Sequence, residues 1–167
     1  HFDYMIEKAT ELGVSAIQPL LTSRTQIREV NTDRCRAIAI EAAEQSERLN
    51  IPTVKKAVTL MELMKHWPDD RALVVCAEWG DAAPVHEAFM SNTIQWTNKT
   101  SIVTGPEGGF APEELELLRT KKQAVFIRLG PRILRADTAA ISALTCWQAM
   151  RGDWVQKTED RHQVSAV

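Results

Sequence analysis

The residues best suited to chemistry fall in three short segments. Gly105-Pro106-Glu107-Gly108-Gly109 packs three glycines, a proline and a carboxylate into five positions. Gly130-Pro131-Arg132-Ile133-Leu134-Arg135 repeats the glycine–proline start and adds two guanidiniums. Glu78 to Asp81 adds a carboxylate and Gly80. Glycines in such turns adopt positive φ and let a ligand touch the main chain directly. One glycine–proline loop reads equally well as a tight turn before a helix; two at successive strand ends are harder to dismiss. Arg132 and Arg135 could hold a phosphate or a base. The ordinary alternative is solvated charge, or an ion pair with Glu107 or Asp137. Arg128 adds to this crowd, Arg24 and Arg28 follow an earlier strand, and Arg48 ends a helix.

Several chemistries lack their residues. Gly105–Gly109 has neither the lysine nor the hydroxyl of a P-loop, and no G-x-G-x-x-G occurs. A polyphosphate therefore has no cradle. A ligand with an adenine and a sulfonium but no phosphate suits these loops better, because backbone N–H and C=O groups can read adenine. His1, His66, His86 and His162 are isolated and no cysteine spacing resembles a zinc site, so no metal is expected. A G-x-S-x-G nucleophile elbow is absent. Trp67, Trp79, Trp96, Trp147 and Trp154 could stack bases, but core or dimer packing is their more common use.

The loops need elements to carry them. Residues 3–13 read as a helix capped by Asp3, with Met5, Ala9 and Leu12 on one face and Gly13 at its end. Val14–Leu21 is a short apolar strand, with Pro19 near an edge or bulge. A long helix runs from Thr32-Asp33 to about Arg48, with Cys35, Ile38, Ala42 and Gln45 near one face. Thr59-Leu60-Met61-Glu62 is a capping box for a helix reaching Trp67. Three strands follow: Ala72–Ala77, Ser101–Thr104 and Ala124–Leu129. Each meets one of the three loops, then a helix: about Pro84–Met90, Pro112–Lys122 and about Asp137–Met150. Such alternation predicts an α/β fold with a mostly parallel sheet. In such sheets ligands bind beyond the carboxyl ends of the strands. The polar tail from about residue 156 to Val167 has no apolar face and is expected to fray.

Composition sets outer bounds. A chain of 167 residues, 44% hydrophobic and 25% charged, fits one domain with its own core. Cys35, Cys76 and Cys146 are few, odd in number and far apart, which suits a reducing cytoplasm. No run approaches a membrane span, and no signal pattern opens the chain. The chain lacks an initiator methionine and enters a helical pattern at Asp3, as a domain cut from a longer protein would. Twenty basic against twenty-two acidic residues give a net charge of -2. A domain holding RNA alone would carry a basic excess. Either RNA is not the partner, or another domain or subunit supplies the phosphate contacts.

GPEGGFAPEELELL (Gly105–Leu118) followed by LGPRILRADTAAISAL (Leu129–Leu144) closely resembles the bacterial 16S ribosomal RNA uracil-N3 methyltransferase family of the SPOUT superfamily. IEKATELGVSAIQPLLTSRTQ (Ile6–Gln26) and EAAEQSERLNIPTV (Glu41–Val54) are similar to its other signatures, so the match covers about residues 3–152. The resemblance implies a SPOUT fold, a parallel sheet between helices with a C-terminal deep trefoil knot. Residues 1–155 would form the methyltransferase domain. It also implies S-adenosyl-L-methionine as cofactor, a homodimer, and an N-terminal PUA-like RNA-binding domain absent from this chain. The partner would be 16S ribosomal RNA or the small subunit, in the cytoplasm.

By matching position, Thr104, Gly105, Pro106, Gly108, Gly109, Leu129, Gly130, Pro131, Ile133 and Leu134 would bind the cofactor, with Cys76 and Glu78 as a third wall. Arg24, Arg48 and Arg132 would contact RNA. Arg132 or Arg135 would stabilise the uracil anion, and Glu107 or Asp137 would assist its deprotonation. Two departures from the family pattern stand out. Ala136-Asp137-Thr138 replaces the family's common T-E-T, and Glu47 replaces the glycine of EQSGR. For Asp137, helix N-capping is therefore the favoured reading. The rivals are a SPOUT methyltransferase acting on another RNA site, or a non-catalytic RNA-binding or dimerising relative.

Overall fold

The computed structural model describes residues 1–26, 29–77, 80–92, 94, 96 and 99–155. The expected polar tail, with His162, lies outside them, as do Arg28, Glu78 and Trp79. The core is a four-stranded sheet of β5 (Ala72–Cys76), β6 (Ala83–Pro84), β7 (Thr100–Thr104) and β8 (Ala124–Arg128), in the order β6-β8-β5-β7. Every pairing is parallel, as the alternating pattern requires. Central β5 is fully buried from Ala72 to Val75, which is why ALVVC is continuously apolar rather than alternating.

Helices cover both faces. On one, α3 (Leu60–Lys65) and α5 (Pro112–Arg119) bury Leu60, Met64 and Leu118 against Leu73, Val75 and Val103. On the other, α4 (Val85–Met90) and α6 (Ala136–Met150) bury Ala88, Phe89 and Ala143 against Val74 and Ile127. Phe89, Trp96 and Trp147 pack edge to face there, with ring centroids 5.5–5.6 Å apart. Trp96 and Trp147 are thus packing residues, whereas Trp154 is exposed.

The N-terminal half adds α1 (Phe2–Glu11) and α2 (Thr32–Gln45), which enclose a small core of Ile6, Cys35, Ala39 and Val54. The single strand expected over Val14–Leu21 is instead two short ones, β1 (Ala16–Ile17) and β2 (Leu20–Leu21). They pair in parallel with β3 (Thr53–Val54) and β4 (Val58–Thr59). Pro19 has no N–H to give a ladder, and the Gln18 side chain fills the break by donating to the Lys56 carbonyl at 2.7 Å.

Other expectations need correcting at their ends. His1 holds the N-cap position of α1, and Asp3 instead pairs with Arg34 at 2.5 Å. Asn31 caps α2 by accepting from the Arg34 N–H at 2.9 Å. The capping box at α3 forms as read: Thr59 and Glu62 bond reciprocally. Arg135 stands at the N-cap of α6 without a side-chain bond, so Asp137 is not its cap. Asp137 lies one residue inside the helix and accepts from the Thr138 N–H at 2.8 Å.

α6 is tied to the N-terminal half by one buried amide. Gln148 donates to the Leu12 carbonyl at 2.5 Å and accepts from the Asp153 N–H at 3.0 Å. Gly13 turns away from α1 at φ +86°, and a Cβ there would lie 2.7 Å from Gln148 Nε2.

Candidate functional site

Strand register decides which loops meet. Cys76 at the end of β5 pairs with Thr104 on one side and Ile127 on the other. The ends of β7 and β8 therefore flank the end of β5 on one edge, about 10 Å apart by the usual interstrand spacing. Gly105–Gly109 and Gly130–Leu134 leave from this same edge, with Cys76 between them. The arrangement puts both loops at the carboxyl ends of parallel strands, where sheets of this kind bind their ligands.

The first loop is tightly folded. The Gly109 N–H donates to the Pro106 carbonyl at 2.8 Å, closing a turn that carries Glu107 and Gly108 at its exposed tip. Gly109 has φ +67°, where a glycine is strongly favoured, and open space lies where its Cβ would be. Gly105 is tightly packed. The Phe110 ring lies against it, and a Cβ there would come within 3.3 Å of that ring.

The second loop is more open. Gly130 has φ +116° with nothing within 4 Å of a built Cβ. Among the described residues, Gly130–Leu134 make no backbone–backbone hydrogen bond, leaving main-chain donors and acceptors to face a ligand. Leu129 and Leu134 are half-buried, while Pro131, Arg132, Ile133 and Arg135 are exposed. Open space beside Gly109 and Gly130 and the unpaired main chain of the second loop leave room for a ligand to touch the backbone directly, as a group read through N–H and C=O, such as an adenine, would need.

The charged candidates divide into two groups. Glu107, Arg132 and Arg135 are exposed, and no ion pair joins them among the described residues. Asp137 is half-buried and is gripped from outside its helix: His1 Nδ1 lies 3.1 Å from its Oδ2. Sequence reasoning gave no hint of that contact, because the two residues are far apart in the chain. Arg24, which is exposed, and Arg48, which is half-buried, both bond to main-chain carbonyls of this chain. Arg24 Nη1 donates to the Gly108 carbonyl at 2.6 Å. Arg48 donates to the Thr10 carbonyl in the last turn of α1 at 2.5 Å and to the Val14 carbonyl just beyond it at 3.0 Å. Burial lowers the Arg48 pKa from its ordinary value.

A further grip escaped the sequence. Glu114 accepts from Ser23 N–H and Oγ at 2.8 and 3.2 Å, and from the Ala111 N–H at 2.8 Å. Ala111 has no side-chain acceptor, so only the carboxylate half of a capping box exists at α5. Glu114 stands three residues after that N-cap, which was the available signal. Among the described residues no group of acidic, histidine or cysteine side chains could hold a metal ion. No described helix is long and apolar enough to cross a membrane.

Residues 1–148 match the model of the RNA methyltransferase domain family. The chain belongs to this family. It is 41% identical over 139 residues to the ribosomal RNA small subunit methyltransferase E of Rickettsia conorii, a match covering 83% of this chain and 55% of that protein. The Bacillus subtilis protein of the same name is 33% identical over 163 residues, covering 90% and 63%. This RNA methyltransferase domain thus spans under two thirds of the length of those relatives. Among solved structures it is similar to the Neisseria gonorrhoeae protein of that name bound to S-adenosyl methionine, with TM-score 0.73 and 30% identity. That match covers 89% of this chain and 60% of the other. A Legionella pneumophila methyltransferase in complex with SAM gives TM-score 0.74 at 30% identity, covering the same shares.

Proposed function

We propose that this domain transfers a methyl group from S-adenosyl-L-methionine to N3 of a uridine in 16S ribosomal RNA. The observation that carries the reading is the shared edge: two glycine loops flank Cys76 at adjoining strand ends. Thr104, Gly105, Pro106, Gly108 and Gly109 would line one wall of the cofactor site. Leu129, Gly130, Pro131, Ile133 and Leu134 would line the other, with Cys76 as the floor. Glu78 would complete it. S-adenosylmethionine, when bound, supplies an electrophilic methyl group.

The chain's own residues then have two tasks. Uracil N3 carries a weakly acidic proton, which must leave before its lone pair can attack. Glu107 or Asp137 would accept that proton, directly or through water. Asp137 is the better oriented of the two, since His1 and the Thr138 N–H hold its oxygens. Arg132 or Arg135 would offset the negative charge left on the base, and their exposed guanidiniums are free to do so. Arg132 is also the proposed RNA contact, whereas the Arg24 and Arg48 side chains hold main-chain carbonyls of this chain.

At the level of the whole protein, the resemblance supports a SPOUT domain over residues 1–155 with its C-terminal segment threaded into a trefoil knot. It also supports a homodimer, a cytoplasmic site of action and a separate N-terminal PUA-like RNA-binding domain. The half-buried apolar residues Ile141 and Leu144 of α6, which are not part of the sheet core, favour a second copy packed on that helix. Alanine at Arg132, Arg135, Glu107 and Asp137 in turn, assayed for methyl transfer and for cofactor affinity, tests the assignment. We expect at least one arginine and one carboxylate to lower turnover about 100-fold, the scale of one lost electrostatic or proton-transfer group. Unchanged turnover in all four variants would remove the mechanism.

A further inference from the structure

We propose that Arg24 is a positioning residue for the cofactor loop, holding the Gly108–Gly109 peptide in its binding shape. The inference rests on the cofactor reading of that loop given above. Three observations converge on this peptide. Its carbonyl oxygen accepts from Arg24 Nη1 at 2.6 Å. Its N–H, on Gly109, donates to the Pro106 carbonyl at 2.8 Å. The Arg24 stem also packs beside Gly108, where a built Cβ would lie 3.4 Å from Arg24 Cδ. One peptide plane is therefore held at both of its polar ends.

The bracing matters because the loop has little else to fix it. Gly108 and Gly109 have no side chains to pack, and glycine loses the most conformational freedom on ordering. A guanidinium on a backbone carbonyl is a charge-assisted bond, stronger than a neutral one. Arg24 is itself anchored. Its neighbour Ser23 is bonded to Glu114, which also accepts from the Ala111 N–H at the start of α5. Thr22 and Thr25 close the turn around it, with the Thr22 N–H donating to Thr25 Oγ1 at 3.0 Å. The N-terminal half thus reaches across and fixes the shape of a loop from the C-terminal half. An ordered loop binds more tightly, since ordering is not charged against binding.

The test separates bracing from RNA contact. Arg24→Ala and Arg24→Lys are made in the full-length protein and titrated with S-adenosylmethionine by calorimetry. Amide exchange at Gly109 is followed by NMR without ligand, and RNA KM is measured alongside. Arg24→Ala should weaken the cofactor about ten-fold and speed Gly109 exchange, the scale of one charge-assisted bond. Arg24→Lys should come back to within about three-fold of wild type, because a single carbonyl needs only one cationic donor. Wild-type cofactor affinity and unchanged Gly109 exchange in Arg24→Ala would overturn the proposal, and a raised RNA KM alone would then make Arg24 an RNA contact. Should the wild-type protein bind no cofactor, the cofactor reading fails by itself, and the exchange measurement still decides whether Arg24 braces the loop.

Discussion

Cys76 stands between the two glycine loops, and burial determines its chemistry. Its thiol is pushed up from 9.0 to about 12, chiefly by desolvation, with Cys146 adding to the effect. A thiolate is the reactive form, so Cys76 is an inert wall near neutral pH rather than a nucleophile. The same shift ties stability to pH. Between 9.0 and about 12 the folded chain keeps a proton that the unfolded chain releases. The unfolded state then binds fewer protons, and stability falls as pH rises through that window. Urea midpoints measured from about pH 8 to pH 10, spanning the ordinary thiol range, should decline in wild type. They should decline less steeply in Cys76→Ala. Cys35 and Cys146, also raised by burial, leave a residual slope. Parallel slopes for the two proteins would show that Cys76 ionises freely when folded.

The end of α2 shows how an element can be readable while its details are not. The helix stops at Gln45 rather than near Arg48, in a Schellman motif. The Arg48 N–H donates to the Ala43 carbonyl at 2.9 Å and the Glu47 N–H to the Glu44 carbonyl at 3.1 Å. That motif requires a left-handed residue at Glu47, whose φ is 55°, the one positive value among described non-glycine residues. An L-residue bears a cost of about 1–2 kcal/mol there. The departure from the family's glycine is thus a strained position. Glu47→Gly should raise stability by about 1 kcal/mol after the added freedom of the unfolded chain is subtracted. The midpoint of thermal unfolding would rise by about 2–4 °C. A lower midpoint would mean that the Glu47 side chain makes a compensating contact.

The same contrast runs through the other elements. ALVVC was legible as a buried strand because an unbroken apolar run suits a parallel sheet covered on both sides, and AVFI was legible as a strand that runs half-buried or buried up to the exposed Arg128. The two-residue β6 was not, since Ala83-Pro84 has no strand pattern of its own and depends on β8 to pair. The loops of the candidate site were legible through glycine and proline. Their braces were not: Arg24 on Gly108, Ser23 on Glu114 and His1 on Asp137 join residues whose spacing carries no period. Asp3 and Asp137 looked like N-caps, but each helix begins earlier than its aspartate and the carboxylate serves inside the first turn.

For the whole molecule, net charge and the glycine loops point to different partners. The proposed cofactor edge is built of glycine main chain and needs no net charge. RNA binding does, because its affinity comes largely from releasing counterions as lysines and arginines neutralise phosphates. This chain has a net charge of -2 and has already committed Arg24 and Arg48 to its own carbonyls. It also spans 55% and 63% of two relatives that carry the RNA-modifying name, which leaves room in a whole protein for a basic surface. We therefore expect the 167-residue chain to bind S-adenosylmethionine without binding bare ribosomal RNA tightly. Calorimetry with the cofactor should saturate, while RNA titrations at physiological salt should give a Kd no tighter than the nonspecific range of about 10⁻⁴–10⁻⁶ M. A full-length protein should instead bind RNA with a steep salt dependence, its log–log slope near -0.9 to -0.7 per phosphate contacted, roughly. Tight, salt-sensitive RNA binding by the shorter chain would move the phosphate contacts onto this domain, and Arg128, Arg132 and Arg135 would be the first residues to substitute.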